Sequence, residues 1–300
     1  METNASAHVR VAAVIPTYNR WPKTQRFLAQ FSHQTYTNLT VVLVDANSPD
    51  DTATKVQQYY PDVVLLRVDN HQYWAGATNT GVRYALAHDY DYIFTINDDA
   101  VVPPEHVHRL VVLAQRYNIQ LLGNRIDYLD SPGKVWALGT QLTWGTPNFL
   151  RLRYHATAVE HLPASIMDQD ILPVDTLPGD GVLIHRSVFE QVGLYQAKFV
   201  PHYHADSELV LRAKNHGFQA YVAPKIVLQD DFSADQKKQN FKSLAGLKYA
   251  FFHPRSHLFA PAILYILWRY CPWYTYPQTI FSLARRLLRL GERRGWTERL

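Results

Sequence analysis

The chain has 300 residues, of which 47% are hydrophobic and 19% charged, so it is long enough for one large or two modest domains with a sizeable core. Its 13% of aromatic residues excludes general disorder, and its single cysteine, Cys271, excludes a disulfide scaffold and a four-thiolate metal site. The sequence shows no secretory signal and no apolar run of the ~18 residues that a membrane span needs, which predicts a cytoplasmic protein.

Charge is distributed unevenly along the chain, whose net value is +4. Residues 1–241 carry 20 Lys and Arg against 24 Asp and Glu, whereas residues 242–300 carry 10 against 2, a balance of +8. A terminal segment with charge of one sign indicates contact with an anionic surface.

The first half alternates short apolar runs with helix-length stretches. The predicted strands are 9–15, 39–45, 63–68 and 92–97, and the predicted helices are 22–34, 51–59, 75–88 and 104–117. Runs this short and apolar are typical of strands buried on both faces of a parallel sheet. Alternation of such strands with helices predicts an α/β fold.

The middle and the last quarter of the chain have different patterns. Residues 119–180 predict loops and short antiparallel pairs that flank the sheet. They are followed by predicted strands over 181–184 and 219–223 and predicted helices over 187–192 and 206–216, the second ended by Gly217. From about residue 236 the pattern is helical, which divides the chain into an α/β domain over 1–235 and a basic helical extension over 236–300.

The extension contains one strongly amphipathic helix. Its apolar face is predicted to hold Ile280, Leu283, Ala284, Leu287 and Leu288, and its opposite face Arg285, Arg286, Arg289 and Arg293. A basic amphipathic helix with tryptophans nearby favours a membrane interface. The alternative is a helix docked on the protein's own core with a solvated arginine face.

Polar side chains follow the first four predicted strands, at the edge where open parallel sheets bind ligands. The most informative of these are Asp98 and Asp99, adjacent at the end of the fourth strand. Neighbouring carboxylates repel each other unless a cation or a proton lies between them, and such oxygen ligands suit Mg²⁺ or Mn²⁺. The alternative is a pair of turn-forming or capping acids ahead of the next helix. The polar residues that follow the neighbouring strands favour the metal site.

Other candidates each have two interpretations. Asp45 either accepts hydrogen bonds from a nucleobase or ribose, or begins an Asx turn. Gly76 and Asn79 either approach a phosphate or base, or simply open the third helix. Trp74 is either a platform for a ring or a core residue. Asp206, at the head of a helix, is either an N-cap or a general base acting on a hydroxyl.

A second polar cluster surrounds Asp206. His202 and His204 are interpreted as ligands, base assistants or packing residues, and Glu208 and Arg212 have the spacing of a helical ion pair. The turn over 178–181 is a predicted wall of a cleft. A P-loop motif is absent from the sequence, and no GxGxxG follows the first strand, which weakens a dinucleotide-binding interpretation.

These turns, in this order, resemble the inverting glycosyltransferases of family 2, which have the GT-A fold. The matching segments are 11–20 (VAAVIPTYNR), 41–52 (VVLVDANSPDDT), 70–81 (NHQYWAGATNTG), 96–102 (INDDAVV), and 181–193 together with 203–217. The resemblance implies a mostly parallel, Rossmann-like sheet flanked by helices. It also implies transfer of a sugar from a nucleoside-diphosphate sugar to an acceptor hydroxyl, assisted by Mg²⁺ or Mn²⁺.

The resemblance also assigns roles to individual positions. The residues expected to contact the nucleotide are Pro16, Thr17, Tyr18, Asp45, Gly76 and Asn79. Asp99 would bind the metal with Asp98 beside it, and Asp206 would be the base.

The chain departs from the family pattern in three places. Asn97 replaces the first acid of the DxD-like motif, and Ala205 replaces the Glu of the Glu-Asp pair. No downstream metal-binding His is evident, and Gln229, Asp230 or Asp231 occupies that neighbourhood. These changes leave Asp99 as the main metal anchor that the resemblance implies.

The expected acceptor is a saccharide or a lipid-linked molecule of cell-surface polysaccharide or glycolipid assembly. The basic helical extension indicates that this cytoplasmic protein is located peripherally at the inner face of the cell membrane. A nucleotidyltransferase is the alternative enzyme, but it would need a glycine-rich basic loop after the first strand, and PTYNRWPK has no glycine. A non-catalytic protein that binds nucleotide sugars is the other alternative. Nucleic acid is not an expected partner, because the rest of the chain is acidic.

Overall fold

The computed structural model describes residues 9–232 and 243–292. The strands are β1 Val11–Thr17, β2 Leu39–Asp45, β3 Val64–Arg67, β4 Tyr92–Thr95, β5 Leu121–Tyr128, β6 Lys134–Ala137, β7 Thr140–Leu142, β8 Leu150–Leu152, β9 Thr157–Ala158, β10 Leu172–Val174, β11 Val182–His185 and β12 Ala220–Asp230. The α-helices are α1 Trp21–Phe31, α2 Thr52–Tyr59, α3 Tyr73–Ala87, α4 His106–Arg116, α5 Ala164–Met167, α6 Arg186–Val192, α7 Ala205–Asn215, α8 Leu244–Phe252, α9 Ala260–Tyr270 and α10 Tyr276–Glu292.

One mixed sheet organises the domain, in the strand order β10-β12-β5-β11-β4-β1-β2-β3. β1 pairs in parallel with β2 and β4, β2 with β3, and β5 with β12. β11 is antiparallel to both of its neighbours, β4 and β5. The predicted mostly parallel sheet with flanking helices and a helical C-terminal extension is therefore confirmed.

Both faces of the sheet are covered, which explains the continuous apolar runs of its strands. Along β1, Ala12 and Val14 pack on one side with α3, α6 and α7. Val11, Ala13 and Ile15 pack on the other side with α1 and α4. Every residue of β1 is buried, and this leaves only the carboxyl end of the strand to meet a ligand.

The prediction of loops over 119–180 was wrong at β5, which lies inside the sheet between β11 and β12. Buried polar residues interrupt its pattern. Arg125 donates to the Asp127 carboxylate through Nε and Nη2 at 3.0 Å each, and its Nη1 donates to the Pro224 carbonyl oxygen at 3.2 Å. Because these partners satisfy one another, the strand tolerates them in its interior. β12 also continues past its predicted end at residue 223, through an irregularity between Ala223 and Val227.

His106 on α4 is a buried titratable group whose ring Nε2 lies 3.0 Å from Asn124 Oδ1 on β5. Burial lowers the pKa of His106 from 6.5 to about 4. Below pH 6.5 this histidine is protonated in the unfolded chain but stays neutral in the folded protein. The free energy of unfolding is therefore highest above pH 6.5 and decreases as the pH falls toward about 4.

We expect His106→Gln to reduce this acid sensitivity, because an amide does not titrate and can still bond to Asn124. Between about pH 6.5 and about pH 5, His106 should lower the free energy of unfolding of the wild type by roughly 2 kcal/mol, at about 1.4 kcal/mol per pH unit. Urea unfolding at about pH 7.5 and about pH 5 would measure the difference. His108→Gln, on the exposed side of α4, is the matched control. An equal acid-induced loss in both variants would contradict the assignment.

The C-terminal helices pack against the α/β domain on one side. Ile266 and Leu267 of α9 are buried against Phe149 and Leu211. The Tyr270 hydroxyl at the end of α9 donates to Glu208 Oε1 at 2.6 Å, and Arg212 Nη2 donates to Glu208 Oε2 at 3.0 Å. On α10, Thr279 Oγ1 accepts from the Gly145 amide at 2.7 Å. The predicted Glu208–Arg212 pair is thus present, and it is joined to the extension.

The predicted arginine face of α10 needs a correction. Arg285 is exposed, but Arg286 turns toward the domain, where it donates to Asn148 Oδ1 and to the Pro147 carbonyl oxygen at 2.9 Å. Because the loop at 145–148 supplies hydrogen-bond acceptors, the Arg286 guanidinium lies against the domain and not on the exposed face of α10. The side chains of Leu287, Leu288 and Arg289, and all of Arg293, lie outside the described residues. Over residues 9–232 and 243–292, no helix has the length and apolarity to cross a membrane.

Candidate active site

A cavity of about 770 Å³ lies between the carboxyl end of the sheet and the C-terminal helices. Its polar lining comes from strand ends and adjoining loops, including Arg20, Asn97, Asp99, Asp180, Asp206, Asp230 and Asp231. Its apolar lining comes mainly from β8 and α8–α10. Of the residues predicted for the site, Asp99 and Asp206 line this cavity. Two carboxylates that are 107 positions apart in the sequence therefore face the same cavity.

Asp98 lies beneath the cavity lining and is completely buried. It accepts a hydrogen bond from Thr24 Oγ1 at 2.6 Å and forms an ion pair with Arg20. Burial raises the pKa of the Asp98 carboxyl, and the Arg20 guanidinium opposes the rise. Asp98 therefore anchors Arg20 at the end of β1 from below.

Asp99 points toward the cavity and is held by two cations. Arg20 Nη1 lies 2.9 Å from Asp99 Oδ2, and Lys23 Nζ lies 3.3 Å from the same oxygen. The same Lys23 ammonium lies 3.3 Å from Asp231 Oδ2 at the end of β12. A single positive group thus sits between two carboxylates that are 132 positions apart in the sequence.

Asp180 and Asp230 form a second acidic pair beside Asp99. Asp180 Oδ1 accepts from the Asn97 amide at 2.8 Å, while Asp180 Oδ2 has no donor among the described residues. Burial and the neighbouring Asp230 raise the pKa of Asp180 well above its usual range. Burial and Asp99 raise the pKa of Asp230 to about 7. Because two close carboxylates resist ionising together, the raised pKa values mark this region as short of positive charge.

The residues around Asp99 fit a divalent cation only with help from a ligand. Within the described parts of the chain, no three His, Cys, Asp or Glu side chains form a metal site by themselves. Asp99 and Asp231 nevertheless flank one cationic position, and the adjacent Asp180–Asp230 pair adds negative charge. Mg²⁺ is commonly bound by one or two carboxylates plus substrate phosphates, which matches this donor set.

Asp206 lies in the first turn of α7, where backbone amides fix its carboxylate. The Gly179 amide donates to Oδ2 at 2.6 Å, and the Ser207 amide donates to Oδ1 at 2.7 Å. Burial raises the pKa of Asp206, while these two amides oppose the rise. A Cβ at position 179 would lie 2.9 Å from the Trp74 ring, so only glycine lets this amide come so close. The result is an oriented carboxylate in a desolvated cavity wall.

Two histidines on the cavity wall that contains Asp206 have pKa values lowered by burial. Burial lowers the pKa of His202 to about 4 and that of His257 to about 3. The His257 ring stacks on Tyr203 with centroids 3.5 Å apart, and its carbonyl oxygen lies 3.1 Å from His204 Nε2. His202, His204 and His257 all line the cavity, and these contacts favour packing roles for His204 and His257.

The residues predicted to contact the nucleotide at β1 and β2 lie outside this cavity lining. Pro16 is buried in β1, and Thr17 Oγ1 lies 2.9 Å from Thr24 Oγ1. Tyr18 lies under the Arg255 guanidinium, 5.5 Å from its ring centroid. Asp45 is completely buried and accepts from the Ser48 amide at 3.1 Å, three residues further on, which gives it a structural role in the turn after β2. Their contact with a nucleotide stays a prediction.

The two candidates on α3 face the protein interior. Asn79 Nδ2 donates to the Tyr195 carbonyl oxygen at 2.9 Å, and Asn79 Oδ1 accepts from the Tyr195 amide at 2.8 Å. Gly76 faces the side chain of Gln72. Asn79 therefore fastens α3 to the loop after α6, and its predicted contact with a base would require this pair to open.

Sequence reasoning missed the cations and an aromatic wall. Arg20 and Lys23 follow β1 directly, and their spacing at the start of a helix was the available signal. Trp136 stacks on Phe232 with centroids 4.2 Å apart, and Tyr128 meets Phe232 edge-on at 5.7 Å. All three aromatic residues line the cavity beside Asp231. No local pattern could have identified this wall, because it joins β5, β6 and the segment after β12.

Comparisons with known proteins point to one family. A family model described as Glycosyl transferase family 2 matches residues 12–192. The N-acetylglucosaminyl-diphospho-decaprenol L-rhamnosyltransferase of Mycobacterium tuberculosis is 27% identical over 229 residues, which cover 70% of this chain and 72% of that one. An uncharacterized glycosyltransferase of Haemophilus influenzae is 26% identical over 37% of each chain.

Solved structures show the same fold at low sequence identity. S. aureus TarS 1–349 in complex with UDP-GlcNAc superposes with a TM-score of 0.54 at 14% identity, over 73% of this chain and 57% of that one. GalNAc-T7 with UDP, GalNAc and Mn²⁺ gives a TM-score of 0.58 at 12% identity, over 74% of this chain and 44% of that one. The fold is that of the GT-A glycosyltransferases, and because the family model covers more than half of the sequence, the chain belongs to glycosyl transferase family 2.

Proposed function

We propose that the protein transfers a sugar from a nucleoside-diphosphate sugar to an acceptor hydroxyl with inversion at the anomeric carbon. The observation that carries the proposal is the shared cavity of Asp206 and Asp99. Asp206 removes the acceptor proton while the acceptor oxygen attacks the anomeric carbon. The bond to the diphosphate breaks on the opposite face of the sugar, which inverts its configuration.

The environment of Asp206 supports the role of a general base. Its raised pKa brings the carboxylate nearer to the working pH, where proton transfer is most effective. The Gly179 and Ser207 amides hold both oxygens and so limit the carboxylate to one orientation. A positioned base of this kind contributes roughly 10²- to 10⁴-fold to the rate.

The charged groups at the ends of β1 and β4 support a site for the donor diphosphate. Arg20 and Lys23 bring positive charge to the cavity edge next to Asp99. Mg²⁺ or Mn²⁺ held by Asp99 and Asp231 would offset the negative charge that develops on the leaving diphosphate. The UDP-sugar named for TarS and the UDP and Mn²⁺ named for GalNAc-T7 support this donor class and a metal.

The acceptor in this proposal is a lipid-linked saccharide or related molecule of cell-surface polysaccharide or glycolipid assembly. The decaprenol-linked substrate in the name of the Mycobacterium tuberculosis relative supports it. Aromatic side chains exposed on α9 and α10 support a peripheral position of the protein at the inner face of the membrane.

A thermal-shift screen of nucleoside diphosphates, each with Mn²⁺ or with EDTA, tests the donor assignment. We expect one nucleoside diphosphate to raise the melting temperature, and to do so more strongly with Mn²⁺. Sugar nucleotides of that nucleoside should then release nucleoside diphosphate with an acceptor, and NMR should show a product of inverted anomeric configuration. Retained configuration would exclude the mechanism, and the absence of any nucleotide response would exclude the donor class.

A further inference from the structure

The side of the cavity that faces the C-terminal helices is apolar. Its lining there includes Phe251, Ile263, Leu264, Leu267, Ile280 and Leu283. Leu264 and Ile280 are 59% and 43% exposed although both line the cavity. The cavity therefore opens to the outside between α9 and α10, through side chains that offer no hydrogen bonds.

The outer surface around this opening carries large aromatic side chains. They include Trp268, Trp273, Tyr274 and Phe281, which are 72%, 84%, 69% and 67% exposed. Clusters of exposed aromatic residues are rare on the surfaces of soluble proteins, whereas tryptophan and tyrosine are enriched where a protein contacts lipid headgroups. The opening thus lies within a surface suited to a membrane interface.

The charge of the extension favours a lipid surface over a second copy of the chain as the partner of this surface. Residues 242–300 have a balance of +8, and Arg269 and Arg285 lie beside the exposed aromatics. Two copies meeting through this surface would bring like charges together. Anionic lipid headgroups complement the same charge, and hydrocarbon chains complement the apolar opening.

We propose that the hydrocarbon chain of a membrane-held acceptor enters between α9 and α10, past Leu264 and Ile280, and occupies the apolar side of the cavity. The headgroup that it carries then reaches the polar side, where Asp206 lies. This inference rests on the proposed transfer to a lipid-linked acceptor. It adds the route of the chain and the residues that select for it.

Photo-crosslinking on vesicles tests the route with the full chain. The probe is undecaprenyl phosphate with a diazirine on an isoprene unit close to the phosphate, embedded in vesicles of phosphatidylcholine and phosphatidylglycerol. We expect crosslinks to peptides of α8, α9 and α10. The double variant Leu264→Gln, Ile280→Gln should lower the crosslinked fraction of vesicle-bound protein about tenfold, because both substitutions place amides in the apolar entrance.

Trp273→Gln is the matched control, because Trp273 is exposed on the same surface but does not line the cavity. We expect it to weaken vesicle binding and to leave the crosslinked fraction of the bound protein unchanged. Crosslinks at other elements, an unaffected double variant, or crosslinked dimers in place of lipid adducts would each overturn the route. Thermal shifts with nucleoside diphosphates are measured on the same samples. Loss of the nucleotide response with intact crosslinking would count against the proposed function alone.

Discussion

Asp206→Asn is expected to lower the turnover number by roughly 10²- to 10⁴-fold while donor affinity stays within a few-fold. Asparagine keeps the shape of the side chain but cannot accept the acceptor's proton. One of the two amides at Gly179 and Ser207 would face an NH₂ group, so we also expect a loss of about 1–3 kcal/mol in stability. Steady-state kinetics on purified protein, with donor affinity and melting temperature, separate these effects.

Ser207→Ala is the control for this variant. It keeps the backbone amide that binds Asp206 and removes only the hydroxyl, which lies 3.2 Å from Thr176 Oγ1. We expect its turnover to remain within about threefold of the wild type, since no proton-accepting group is lost. Comparable turnover in Asp206→Asn and Ser207→Ala would remove Asp206 from the role of base.

Asp99→Asn is expected to weaken donor binding about tenfold or more in the presence of Mn²⁺ and not in EDTA. Without metal, loss of the Asp99 charge frees Arg20 and Lys23 from an ion-pair partner, so the diphosphate should bind equally well or more tightly. Calorimetric titration of the responding nucleoside diphosphate with and without Mn²⁺ measures both arms.

Lys23→Gln provides the opposing control. It removes the ammonium that lies 3.3 Å from both Asp99 and Asp231, and we therefore expect Mn²⁺ to bind more tightly than in the wild type. If neither Asp99→Asn nor Lys23→Gln changed the dependence of donor binding on metal, the metal would not lie at these carboxylates.

The sheet was predictable wherever a strand is a continuous apolar run. The predicted run over 39–45 coincides with β2, and β1, β3 and β4 differ from prediction only at their ends. β5 was not predictable, because Asn124, Arg125 and Asp127 read as loop residues until their partners are known. One of those partners, the Pro224 carbonyl, comes from a strand about 100 positions away, and local periodicity carries no such information.

The sequence indicated that Asp98 and Asp99 need a positive partner, but it did not indicate which of the two is buried and which faces the cavity. Their neighbouring side chains point to different environments, so Asp98 is buried with Thr24 while Asp99 lines the cavity. Asp231 reaches the Lys23 ammonium beside Asp99 because β12 pairs with β5 and Gln229 near its end forms an antiparallel bridge with Val101. Such long-range convergence depends on the folded sheet, whereas the position of Asp206 at a helix start followed from local spacing.

The contact between Tyr270 and Glu208 has a consequence for how enzymes of this design can be shortened or recombined. Glu208 is fully buried two residues after Asp206, and the Tyr270 hydroxyl satisfies one of its oxygens. Deleting the tail would strand that carboxylate with Arg212 alone, within one turn of Asp206. A chimera that exchanges this tail for another would therefore have to supply an equivalent hydroxyl, or leave a buried carboxylate short of a donor beside the proposed base.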